Sequence, residues 1–158
     1  QAGFEVSAEV QRSFAQFLTA GKGLLALHAA TLCFDDWSEY PHILGAWWEW
    51  GYSGHAPLQE HLIRVCTDAH PVVMGIGDFA IHDELYTHPR IADPLSPLAV
   101  GKWAGERHPV LWVREYGSAR ICYCGLGHGV EAFANPSFRL LLQRGARWSM
   151  RELGERGP

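Results

Sequence analysis

The sequence predicts a three-layer α/β domain, and three observations carry that prediction. A capped, amphipathic stretch opening at Ser7 is followed at once by the uninterrupted apolar run Leu24-Leu25-Ala26-Leu27. A second apolar stretch, residues 121–125, ends in glycines and a histidine just as the first ends at His28. A second helix signal, Asn135-Pro136, then opens the last amphipathic segment. Helix, buried strand and polar strand end, repeated, is the pattern of helices layered on a sheet.

Taken in order, Ser7 is a good N-cap because its hydroxyl can accept a backbone N–H at the helix start, and Val10, Phe14, Phe17 and Leu18 then share one face. Gly21 and Gly23 suit the left-handed or extended backbone that closes this helix and feeds the strand. Residues 24–27 lack polar alternation, which predicts an inner strand covered on both faces. His28 stands at its end with only Ala29 and Ala30 behind it. Ligands bind at the carboxyl ends of strands in open α/β sheets. The imidazole is therefore placed either for chemistry or merely to hydrogen-bond a turn.

Tyr40-Pro41-His42-Ile43-Leu44-Gly45 reads as a short helix or irregular loop, and residues 47–57 are too rich in Gly and aromatics for a regular element. Trp47, Trp48 and Trp50 can stack on the C–H faces of a sugar, or can cover a core edge or a subunit contact; the latter leaves a homo-oligomer open. Residues 62–66 read as a strand, and Pro71 as the start of a short helix. Residues 79–81 lead into His82-Asp83-Glu84-Leu85-Tyr86. Adjacent carboxylates on a strand face opposite sides, so one of Asp83 and Glu84 enters a shared site, and the longer Glu84 is preferred. A short strand is expected at 98–100, and residues 110–113 and 120–124 form a hairpin about Gly117. In Gly125-Leu126-Gly127-His128-Gly129 the glycines let backbone approach a ligand closely. Asn135 caps the last helix, whose apolar face is Phe138, Leu141, Leu142 and Trp148. With no repeat or linker, residues 1–158 read as one domain.

A net charge of −4 with scattered basic residues leaves no electrostatic footprint for nucleic acid or an acidic membrane. No apolar run approaches the roughly 20 residues of a membrane helix. Cys122 and Cys124 alternate onto one strand face, where a mutual disulfide has poor geometry, and no zinc-ribbon spacing exists. Reduced, mostly buried thiols are expected, which favours the cytoplasm. A first residue of Gln leads us to expect a processed product or a fragment. Nine histidines and seven tryptophans exceed what core filling explains.

The pieces Gly21-Lys22-Gly23-Leu24-Leu25-Ala26-Leu27-His28-Ala29-Ala30-Thr31, Tyr40-Pro41, Leu44-Gly45, His55, His70-Pro71-Val72, Asp83-Glu84-Leu85-Tyr86, Pro109-Val110-Leu111-Trp112, Tyr116-Gly117-Ser118-Ala119-Arg120, Gly125-Leu126-Gly127-His128 and Arg144-Gly145-Ala146-Arg147-Trp148 together resemble the ThuA-like (trehalose utilisation) family. The resemblance spans nearly the whole chain in the family's order. It implies a flavodoxin- or class I glutamine amidotransferase-like domain with a mainly parallel central sheet, here lacking about two first strand–helix units and so leaving one strand unpaired. Amidotransferases carry a nucleophilic cysteine at the turn after the central strand. Here His28 holds that place and Cys33 lies beyond it, so glutaminase activity is not expected.

What remains is an imidazole and carboxylate set. His28, Glu84, His128 and Tyr86 are the expected catalytic residues, and Trp47, Trp48, Trp50, His55 and Asp83 the expected substrate contacts. His28, His55 and His128 are candidate ligands for zinc, manganese or iron, and the same groups can do acid–base work without metal. The family's association with oxidised (3-keto) disaccharides implies a small carbohydrate substrate and hydrolysis, elimination or isomerisation beside a ketone. A non-catalytic carbohydrate-binding or assembly module on the same scaffold is the competing expectation. Convergence of His28, Glu84 and His128 in one pocket, with the two imidazoles within about 12 Å, separates the two.

Overall fold

The computed structural model describes residues 6–154. The Ser7 hydroxyl accepts the Val10 N–H at the start of α1 (Ala8–Thr19), and Gly21 turns the chain out of it at φ 77°. Strand β1 (Leu24–Leu27) leads into a 3₁₀ turn, His28–Leu32, and then α2 (Tyr40–Leu44) and the two-residue β2 (Ala46–Trp47). There follow β3 (Gly54–Val65), β4 (Phe79–Thr87), β5 (Arg90–Ile91), β6 (Ala99–Trp103), β7 (Glu106–Tyr116), β8 (Ala119–Cys124) and α3 (Pro136–Ser149).

Six strands form one sheet in the order β1-β8-β7-β6-β3-β4, while β2 pairs with β5 apart from it. Only β1 and β8 run parallel; every other pairing in the large sheet is antiparallel. The expected mainly parallel sheet is therefore corrected. The expected inner position of residues 24–27 is corrected too, since β1 ends the sheet among the described residues, while β8 is an inner strand as expected. Residues 54–57 are not a loop. They open the twelve-residue β3, and a register shift between Ala56 and Gln59 accommodates Pro57, whose missing N–H would break a regular ladder. The stretch after Pro71 is a turn rather than a helix.

Three layers exist at the β1–β8–β7 end. On one face Phe138, Leu141 and Trp148 of α3 pack over Cys122 and Cys124; on the other, Leu18, Ile43 and Leu44 of α1 and α2 pack over Ile121, Tyr123 and Trp112. With both faces covered, every residue of β8 is buried. Val10 and Phe17, expected on the covered face of α1, are about half exposed. Close packing is visible at Gly23, where a Cβ would lie 2.1 Å from the Ser149 carbonyl oxygen, so only glycine lets α3 end against β1. All four cysteines are free, with Cys122 and Cys124 buried as expected. Among the described residues no helix is long and apolar enough to cross a membrane.

Candidate functional site

The parallel pairing of β1 with β8 brings their carboxyl ends side by side, Leu27 opposite Cys124. The residues that follow, His28 and the segment 125–129, are thus neighbours although far apart in sequence. His28 adopts φ 40°, a left-handed conformation that costs a non-glycine residue on the order of 1 kcal/mol. Two bonds hold it there. Its Nδ1–H donates to the Gly125 carbonyl at 3.0 Å, and its own carbonyl accepts the Tyr123 hydroxyl at 2.8 Å. Because a carbonyl can only accept, the neutral ring carries its proton on Nδ1 and leaves Nε2 as a lone pair facing the site.

Glu84 and Tyr86, two apart on β4, share the strand face turned toward that lone pair. The Tyr86 hydroxyl donates to His28 Nε2 at 3.0 Å. Burial, then the carboxylates of Glu84 and Asp83, push the phenol well up, which keeps it a protonated donor. Glu84 Oε2 lies 3.7 Å from His28 Nε2 and 3.1 Å from His128 Nδ1, and the two imidazole nitrogens are 3.3 Å apart. The ring centroids are separated by 5.3 Å, so the expected approach of His28 and His128 is met. His55 Nδ1 faces the other carboxylate oxygen, Oε1, at 3.4 Å. His28 and Glu84 form the shielded floor, at 12% and 14% side-chain exposure, and His128 the rim.

Ligand atoms about 2.0–2.2 Å from one tetrahedral ion sit roughly 3.3–3.6 Å from each other. The separations among His28 Nε2, His128 Nδ1 and Glu84 Oε2, 3.1–3.7 Å, bracket that spacing closely, and imidazole with carboxylate is a donor set for a zinc-type divalent ion. His55 is not part of this group, because it approaches Oε1 and not the point the other three share.

Asp83 is fully buried: Oδ2 accepts Gly127 N–H at 2.6 Å, and Oδ1 accepts His128 N–H at 3.0 Å and Glu84 N–H at 2.9 Å. It ties the loop carrying His128 to the strand carrying Glu84. Gly127 reaches it at φ 110°, a conformation that favours glycine.

Beside the floor, Trp48 packs edge-on against Tyr86 at 5.0 Å, and Trp50 Nε1–H donates to Asp35 at 3.4 Å. Trp47, Trp48 and Trp50 line a cleft of about 280 Å³ together with Phe34, Asp35 and Trp37. Sequence reading missed Tyr123, Asp35 and the bracing role of Asp83. Tyr123 had a signal, since alternation along β8 sends it to the face opposite Cys122 and Cys124; the bonds from Asp83 to the His128 loop had none, because Gly127 and His128 lie more than forty residues away.

Sequence and structure comparisons agree with this architecture. The family profile described as Trehalose utilisation, ThuA, matches residues 2–149. A ThuA-like protein from Parabacteroides merdae superimposes with a TM-score of 0.84 at 23% identity, covering 98% of this chain and 71% of that one. Another, from Bacteroides uniformis, gives 0.72 at 23% identity, over 93% and 66% of the two chains. A β-galactosidase from Bacillus circulans sp. alkalophilus matches at a TM-score of 0.60 and 14% identity, over 94% of this chain but 21% of that one, a likeness of fold alone. No curated protein matches the sequence significantly. The profile, spanning nearly every described residue, decides the family: the chain belongs to the ThuA (trehalose utilisation) family and has its glutamine amidotransferase-like fold.

Proposed function

We propose that this chain is a carbohydrate enzyme that moves a proton at the carbon beside the carbonyl of a keto-sugar or related glycoside. Hydrolysis, elimination or isomerisation then follows. The observation that supports it is the convergence of His28, Glu84 and His128, from three separate strands or the turns after them, with the His28 tautomer fixed by Gly125. A pocket that only bound sugar would have no need of a shielded carboxylate flanked by three imidazoles.

In the proposed reaction the Glu84 carboxylate takes the proton, and the C–H electron pair moves into the carbonyl to give an enolate. The Tyr86 O–H donates to that oxygen, a role suited to a phenol kept protonated by its surroundings. Trp48 and Trp50 carry the sugar's C–H faces, and Asp35 takes its hydroxyls. His28 Nε2, His128 Nδ1 and Glu84 Oε2 would hold a divalent ion, which when bound supplies a Lewis acid for a sugar oxygen. Glu84 Oε1, facing His55, then remains free to exchange protons. With histidine at the turn, glutaminase activity is absent in this reading. Four free thiols suit a cytoplasmic setting, and the partner is a small carbohydrate rather than nucleic acid.

The test incubates the chain with a panel of 3-keto disaccharides in D₂O and follows loss of the proton beside the ketone by NMR, with metal analysis of the same sample. Exchange or turnover is expected, and His28→Ala should lower it by at least about 10²-fold while leaving the fold intact. Binding without exchange or turnover of any such sugar would replace this reading with that of a non-catalytic module.

A further inference from the structure

A second histidine–carboxylate group lies outside the site just described. Glu106 and His108 stand two apart on β7 and therefore share a face, and the β7–β6 register sets Glu106 opposite Trp103 and His108 opposite Gly101. His88, in the turn between β4 and β5, completes the group from a left-handed backbone at φ 51°. Its Nδ1 lies 3.7 Å from Glu106 Oε2, and its ring stands edge-on to that of His108 at 4.9 Å between centroids. One nitrogen or oxygen from each of the three residues lies within 4.8 Å of the other two.

We propose that His88, Glu106 and His108 form a second divalent-cation site of the zinc type, independent of the His28 triad and of the reading given to it. Two imidazoles and one carboxylate are a sufficient protein set for zinc with an open position. An exposed histidine–glutamate pair by itself contributes little. What points to a ligand is the third group, an imidazole buried to 4% exposure that still lines a cleft together with the pair. The Trp103 backbone holds the His108 ring, and the ring's Nδ1, which accepts the His88 N–H in a long 3.4 Å bond, would give up that weak bond to ligate the ion. Such backbone anchoring is what orients a ligating imidazole. The other two side chains are exposed at 44% and 66%, free to make the movement of about 1 Å that ligand spacing requires. The open position faces a cleft of about 560 Å³ also lined by Cys66, Arg107 and Tyr52, so the ion is accessible to solvent and to small anions.

The test titrates zinc into the metal-free full chain against a chromophoric chelator. His88→Ala and Glu106→Gln are the main variants, since both residues are exposed and their loss spares the core that His108→Ala would disturb. One zinc equivalent should weaken by at least about 100-fold in each. It should persist in the double variant H28A/H128A and in His82→Ala, an exposed control. No zinc binding in the native chain overturns the proposal. So does an equivalent that is lost in H28A/H128A but untouched in His88→Ala and Glu106→Gln, or one that depends on Cys66→Ser alone. Loss of metal at the His28 triad with retention here would instead count against the metal-assisted form of the proposed reaction only.

Discussion

His28 and His128 follow the carboxyl ends of β1 and β8 and Glu84 comes from β4, whereas Glu106 and His108 share β7 and only His88, in the β4–β5 turn, comes from elsewhere. The first group is held before any ligand arrives. Gly125 fixes one ring, Asp83 binds the backbone of His128 and of Glu84, and the three atoms proposed to hold the ion already stand 3.1–3.7 Å apart. The second has one anchored ring and two exposed side chains that must close by about an ångström. The contrast is one of preorganisation. Groups fixed in position lose no entropy when the reaction needs them, which suits chemistry; groups on flexible stems are ordered by the ion itself, which suits binding.

The two groups differ most in their dependence on Asp83. Replacing it with Ala leaves the partly buried N–H groups of Gly127, His128 and Glu84 without their acceptor. Denaturant unfolding should record a loss of about 3 kcal/mol, and the sugar reactivity of the first triad should fall with it. Zinc affinity at the second triad should stay as it was, because no member of that group touches the brace. A variant of native stability would show that the first site is not held by this carboxylate.

Tyr86→Phe probes the same site more gently. It removes one hydroxyl, so stability should change by less than about 1.5 kcal/mol, while proton exchange at the ketone should slow by about 10²-fold. Equal rates for the two proteins would take Tyr86 out of the chemistry and leave it a packing partner of Trp48.

The smallest expected effect is on thiol labelling, which reports on both regions at once. Burial pushes the Cys124 thiol, beside Gly125 beneath the first site, up to about 12. At pH 8 only about 10⁻⁴ of it is the reactive thiolate. Cys66 is exposed and lines the second cleft. An alkylating reagent should therefore modify Cys66 in the native protein and reach Cys122 and Cys124 only after unfolding, and zinc should slow the Cys66 reaction a few-fold. Rapid native labelling of Cys124 would mean that the layer formed by α3 opens readily.

Much of this was legible locally. Ser7 and Asn135 each accept a backbone N–H three residues on, as their positions before amphipathic runs foretell, and Gly117 turns the β7–β8 hairpin. The i, i+2 relation that gives Glu84 and Tyr86 one face follows from strand period alone, and the same rule would have paired Glu106 with His108. Cys122 and Cys124 fell on one face for that reason too. The histidines ending two apolar strands marked the first site, because a strand's end is known from its own composition.

Strand direction and strand neighbours were decided by the tertiary structure. Residues 24–27 and 121–124 carry no charged residue because helices cover both faces of the parallel pair; β4 alternates strictly, the mark of a sheet covered on one face, and its pairing is antiparallel. That alternation was present in the sequence, but it fixes only which side chains go inward, and pairing partners depend on which edges meet once the core has closed. The same holds for Asp83. Its neighbours on β4 are given by the chain, while the two amides that define its role arrive from a loop more than forty residues away. A sequence determines the local period and caps because those energies are set within a few residues. It leaves long-range pairing open because that is settled by the joint burial of segments distant along the chain.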